Sequence, residues 1–198
     1  MAEAATQDDR PQRIYFRVFT EADEKKRRAE SNRSPTGGGA RDIRMNHEHF
    51  GPIMEKMLPN RLRVMRKREG ARTQIEIYAG PLHYPVKPDE PEGEERTMQI
   101  EYEPPTTARG SEGRIPRIPN IPSLENLPEG DVGLIFLLLI QNARGELRAH
   151  YVTESSLRTE GWHPEVVQTI LNCVTSTRRN RIAQGYIDFT IGRKYCHA

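Results

Sequence analysis

Two stretches concentrate the side chains that could do chemistry. "ARGSEGRIPRIPN" (108–120) sets Arg109, Glu112, Arg114 and Arg117 at short intervals in a segment stiffened by Pro116 and Pro119, with Ile115 and Ile118 between the basic positions. An extended segment of this kind projects its guanidinium groups on a regular pitch. Arginine pairs bidentately with O6 and N7 of guanine, and glutamate accepts from N4 of cytosine. A solvated surface loop with ordinary ion pairs is the competing reading of the same residues. The second stretch, "SNRSPTGGGARDIRM" (31–45), runs from Arg33 through Thr36, Gly37, Gly38 and Gly39 to Arg41 and Arg44. Glycines without Cβ let a backbone lie close to a ligand, and the flanking arginines point to phosphate; a plain flexible loop is the alternative. Just upstream, Lys25, Lys26, Arg27 and Arg28 form a basic run with almost no apolar face, placed to meet a nucleic-acid backbone.

Other chemistries find less support. The glycine loop lacks the GxxxxGK[ST] spacing that holds nucleotide phosphates and magnesium. His47, Glu48 and His49, with Cys196 and His197 at the end, are metal-ligand types without zinc-finger spacing; solvated histidines near a helix start are expected. Asp42, Glu76, Glu101 and Glu103 are carboxylates on predicted strands, but the E-x-K pairing common in metal-dependent nucleases is missing, since Ile77 and Tyr78 follow Glu76. No nucleophile, base and stabiliser can be named together. The expectation is a binding protein without cofactor, metal or catalysis of its own.

The bulk properties narrow the class. The chain has 198 residues, 29% of them charged, with a net charge of only +2, so a nucleic-acid site requires local segregation of charge. One main core is expected at this length. Cys173 and Cys196 cannot make a disulfide framework, and Cys173, on the apolar face of a predicted helix, reads as a core thiol. The first residues lack the apolar stretch of a signal peptide, and "VGLIFLLLI" (132–140) is far shorter than the roughly 20 residues a membrane span needs. A reduced, cytoplasmic protein is expected, with no membrane partner.

Positioning these residues falls to the elements between them. Residues 14–19 ("IYFRVF") favour a strand through their β-branched and aromatic side chains. The charged, then Gly- and Pro-rich stretch 21–39 reads as a long exposed arm. "RDIRM" alternates as a strand, and Phe50, Ile53, Met54 and Met57 have helical spacing, with Gly51 and Pro52 confining that helix to the residues after them. "RTQIEIYAG" and "RTMQIEYEP" alternate with period two and read as paired strands. Prolines 104 to 128 exclude the next stretch from a central sheet and make it a second exposed arm. Residues 131–155 read as a hairpin around "NARG", its first strand buried on both faces. Pro164 starts a helix carrying Val166, Val167, Ile170, Leu171 and Val174, and "QGYIDFTIG" closes the core as a last strand.

The order of these parts, with Thr36-Gly37 at the first arm and Ser111-Glu112-Gly113-Arg114-Ile115-Pro116-Arg117 in the second, resembles the N-terminal effector-DNA-binding domain of EcoRII-type and BfiI-type restriction enzymes. That domain is related to the plant auxin-response-factor pseudobarrel. The likeness spans about residues 14–153. It implies an α+β fold on a barrel-like, mainly antiparallel sheet that grips duplex DNA with two arms and has no catalytic residues. Carried over, Thr36, Arg41 and Arg44 belong to the first arm, and Arg109, Glu112, Arg114 and Arg117 to the second. Residues 1–13 would be a disordered N-terminus, 14–153 the recognition domain, and 154–198 a helix-strand extension on the same core. The expected function is sequence-specific recognition of double-stranded DNA, as the sensing part of a restriction or anti-phage system with its nuclease on a partner chain. The alternatives are a metal-dependent nuclease and a protein-interaction module using the arms and the cluster Arg178, Arg179 and Arg181.

Overall fold

A computed structural model describes residues 10–19, 42–68, 71–85, 94–106, 110–118, 134–177 and 182–197. Its centre is the antiparallel pair of β1 (Pro11–Phe19) and β7 (Ile135–Asn142), in which Ile14 faces Ile140 and Phe16 faces Leu138. Apart from the buried Arg17, residues 14–19 and 135–140 are apolar on both sides. Tyr15, Phe19, Leu137 and Leu139 enter one core, while Ile14, Phe16, Val18, Phe136 and Leu138 enter another. A strand that is apolar on both sides is stable only with a layer over each face.

The sheet grows outward from this pair in the order β10-β9-β1-β7-β8-β4-β3, with β5 on β4. These strands are β3 (Asn60–Arg68), β4 (Ala71–Pro85), β5 (Glu95–Tyr102), β8 (Leu147–Thr153), β9 (Gln184–Asp188) and β10 (Arg193–His197). Pairing is antiparallel except where β4 meets β8, which run parallel at Leu82↔Leu147 and His83↔Arg148. The sheet has two ends, at β10 and β3, and does not close into a barrel. The architecture is α+β.

One face is covered by α1 (His47–Met57) and by a separate antiparallel pair, β2 (Ile43–Asn46) with β6 (Glu112–Ile115). The other is covered by α2 (Glu154–Thr159) and α3 (Pro164–Ser176). Pro164 stands at the first turn of α3, as its fixed φ and missing N–H allow. No helix among the described residues is long and apolar enough to cross a membrane.

Several expectations are corrected. α1 starts at His47, ahead of Gly51 and Pro52, with the Asn46 side chain accepting from the Glu48 N–H at 2.9 Å. Pro52 stands at the sixth position, inside the helix, so the Glu48 carbonyl goes without its intrahelical donor. Gly51 is needed for a different reason: a Cβ there would stand 2.4 Å from the His47 ring. The two alternating segments are strands, yet residues 71–79 pair with β3, a strand not expected from the sequence, and only 78–85 pair with β5. The chain also adds β10 after the expected last strand.

Cys173 is no free thiol, and the expectation of a reduced protein is corrected with it. Cys173 is joined to Cys196 by a disulfide across 23 residues, with Cα atoms 5.4 Å apart, a separation such a bond accepts. Pairing of β10 with β9 brings Cys196 opposite Gly185 and under α3. The bond ties the end strand to the helix layer.

Two measurements test this packing. Leu138 is fully buried between the layers, so Leu138→Ala should cost about 2–5 kcal/mol in a denaturant melt, through reduced burial and a residual cavity. Cys196→Ser should lower stability by about 3 kcal/mol under non-reducing conditions, from the loop entropy the cross-link removes from the unfolded chain. An equal melt with and without reductant would show that the bond carries none of the stability.

Candidate nucleic-acid interface

The β2–β6 pair unites two segments far apart in sequence. Ile43 faces Ile115, Arg44 faces Arg114, Met45 faces Gly113 and Asn46 faces Glu112. Alternation sends Ile43, Met45 and Ile115 into the core and leaves the arginines on the other side. β6 is in turn tied to the end of β5, because Arg114 and Glu103 exchange backbone hydrogen bonds of 2.9 and 2.8 Å. Gly113 lies under the Tyr102 ring, whose hydroxyl would stand 2.0 Å from any Cβ at that position. The Tyr102 hydroxyl and His47 Nδ1 share a hydrogen bond of 2.8 Å.

The Arg114 side chain organises the polar edge of this layer. Its Nε donates to Glu103 at 2.8 Å and its Nη1 to Asp42 at 2.6 Å. Glu103 is 2% exposed and Asp42 9%, so each carboxylate has given up most of its water and needs a cation beside it. Burial works against the charge on Arg114, but Glu103 and Asp42 outweigh it and hold the guanidinium more firmly protonated than usual. Arg66 reaches Glu103 from β3 at 3.5 Å and is also bonded to Glu101. The chain of charges borders a cleft of about 420 Å³ lined by Arg66, Glu101, Glu103, Arg114, Pro116 and Arg117. Arg117 is exposed there, with no acidic partner among the described residues.

The remaining expected site residues fall as follows. Lys25, Lys26, Arg27, Arg28, Arg33, Thr36, Gly37, Gly38, Gly39, Arg41 and Arg109 lie outside the described residues, as do Arg178, Arg179 and Arg181. Arg44 and Glu112, both exposed, form an ion pair of 3.5 Å across β2 and β6. The second arm is not exposed throughout: Gly113 and Ile115 are buried and Arg114 is half-buried, because four of its residues pair with β2. The histidines are not solvated either. His47 and His49 are half-buried, and the His49 ring stacks on Tyr195 with centroids 4.7 Å apart. Asp42, Glu101 and Glu103 are brought near one another, but arginines stand between them. Among the described residues no group of three His, Cys, Asp or Glu is placed to hold a metal ion.

No family model, no curated protein and no solved structure matches this chain.

The surface has a feature not expected from the sequence. β3 and the first half of β4 form a two-stranded ribbon, Arg61↔Tyr78 to Arg68↔Ala71, cut from "NRLRVMRKREGARTQIEI" (60–77). The density of arginine and lysine in that stretch was the available signal. Arg61 bonds Glu76 at 2.6 Å, and Leu62 and Met65 are exposed.

Removing the organising cation tests its role. Arg114→Ala should cost up to about 3–5 kcal/mol, since two largely buried carboxylates lose the cation between them, with Glu103 keeping its 3.5 Å contact to Arg66. Arg114→Lys should recover only part of this in the same melt, because one ammonium cannot form the fork to both acids. A neutral Arg114→Ala would mean that water satisfies Asp42 and Glu103 without help.

Proposed function

We propose that this chain recognises double-stranded DNA in a sequence-specific way, as a binding module with no catalysis of its own. The supporting observation is the junction of the two arms. The strand that follows the glycine-rich segment and the strand inside the Arg-Pro segment are one antiparallel pair, so residue 42 and residues 116–118 stand at the same end of β2–β6. A clasp needs its two jaws to start from one place. Arg44 and Arg117 are exposed beside that junction, able to reach phosphate or base, while Arg114 fixes the strands behind them. Phosphate contacts supply affinity and base contacts supply sequence choice.

The finer reading is a curved, pseudobarrel-like sheet serving as the sensing part of a restriction or anti-phage system in the cytoplasm, its nuclease on a partner chain. The resemblance in the order of parts supports this, together with arginine as the dominant side chain at the junction.

Titration against a selected duplex and a scrambled one, at several salt concentrations, tests the proposal. Arg117→Ala should weaken specific binding by about 1–3 kcal/mol and relax the preference at one base pair. Replacing any of Lys25, Lys26, Arg27 or Arg28 should weaken both duplexes alike and make the slope of log K against log salt shallower by about 0.9 for each phosphate no longer neutralised. Failure of the unmodified chain to bind any duplex at low salt would overturn the reading.

A further inference from the structure

The β3–β4 ribbon carries a charge that the arms do not explain. Residues 60–77 hold six basic side chains, Arg61, Arg63, Arg66, Lys67, Arg68 and Arg72, against Glu69 and Glu76. That is a surplus of four positive charges in a chain whose total is +2, so the rest of the molecule is net acidic. Positive charge has been gathered onto one projection.

The two faces of the ribbon differ in how that charge is used. Cross-strand partners share a face, which puts Val64, Arg66 and Ile75 on one side and Arg63, Met65, Arg72, Gln74 and Glu76 on the other. On the Arg66 side the cation is taken, because Arg66 is bonded to Glu101 and Glu103. On the opposite side Arg61 takes up Glu76. Arg63 and Arg72 remain exposed with no acidic partner among the described residues, beside exposed Gln74 and a Met65 that is 57% exposed. Exposed cations outside the Arg61–Glu76 pair, around an exposed apolar side chain, make a surface suited to a polyanion.

The ribbon's dimensions select which one. Beyond Tyr78, toward Ala71, no other described strand pairs with either edge, leaving two strands of about seven residues, roughly 24 Å long with backbones about 4.8 Å apart. The B-form major groove, about 12 Å wide, admits a two-stranded ribbon and shows N7 acceptors to arginine and the adenine edge to glutamine. The deep, narrow major groove of A-form RNA does not admit it.

We propose that the β3–β4 ribbon enters the major groove of B-form DNA with its Arg63, Arg72 and Gln74 face, as a third contact beside the two arms. This inference rests on the duplex-binding reading above. Charges along a bare strand edge also keep it from pairing with other chains, a role that makes no demand on DNA, and an anionic membrane surface would likewise attract them.

The test compares the full chain with the Arg63→Ala/Arg72→Ala double variant, whose exposed positions should leave the melting temperature unchanged. Binding is measured to a duplex DNA, to the duplex RNA of the same sequence, and to vesicles containing phosphatidylserine. The expected result is DNA bound at least about tenfold more tightly than RNA, a drop of about tenfold in the double variant, and a salt slope shallower by about 1.8 for two cations removed. Methylation of guanine N7 should interfere with binding in the unmodified chain and less in the variant. A double variant with unchanged affinity and slope, while Arg117→Ala still weakens binding, overturns the ribbon's role and leaves the arms as the clasp. An unmodified chain that binds no duplex overturns both readings. Vesicle binding abolished in the double variant with DNA binding intact assigns the ribbon to a membrane surface and overturns the groove.

Discussion

The burial of β1 and β7 on both faces is the constraint from which the rest follows. Ile14, Phe16 and Leu138 point one way while Tyr15, Leu137 and Leu139 point the other, and neither set can be left in water. The helices α2 and α3 satisfy the first set. The second takes a composite cover, α1 beside the small β2–β6 sheet, and that choice pairs the strand at residues 43–46 with the strand at residues 112–115. The location of the arm junction is a by-product of core closure.

A sheet of only two short strands would be marginal alone. It is held from below by Ile43, Met45 and Ile115 in the core and from the side by Arg114, whose guanidinium joins Asp42 before β2 to Glu103 after β5. Close contacts finish the job: His47 lies against Gly51, and Tyr102 against Gly113. The arginine that most invites assignment to DNA therefore has a structural task, and the residues left for a ligand are its neighbours Arg44 and Arg117.

Much of this fold was legible in the sequence, and the failures have physical causes. The β7–β8 hairpin could be read because its apolar run is dense and "NARG" interrupts it cleanly. Pro164 announced α3. β3 escaped because Leu62 and Val64 alternate with arginines, which reads as a charged loop unless the strand opposite is known. β6 escaped because Pro116 sits at its end and a proline-rich context argues against a strand, although four residues on a small separate sheet tolerate it. The disulfide could not be read because spacing says nothing of which strands pair, and it depends on β10. At the site, residue types pointed to Arg114 and Arg117 alike; only the fold shows that one is engaged by two carboxylates while the other has no acidic partner among the described residues.

β4 has a consequence of its own. At 15 residues it runs without interruption from the ribbon tip at Ala71 to Pro85, taking β3, β5 and β8 as partners in turn. It is one beam, cantilevered from the body of the sheet. Whatever grips the outer half loads the inner half directly, with no hinge to absorb the displacement. That load meets the sheet at its shortest seam, the parallel contact of Leu82 and His83 with Leu147 and Arg148. A partner at the tip would be felt there first, as a change in the exchange rates of backbone amides some distance from the point of contact.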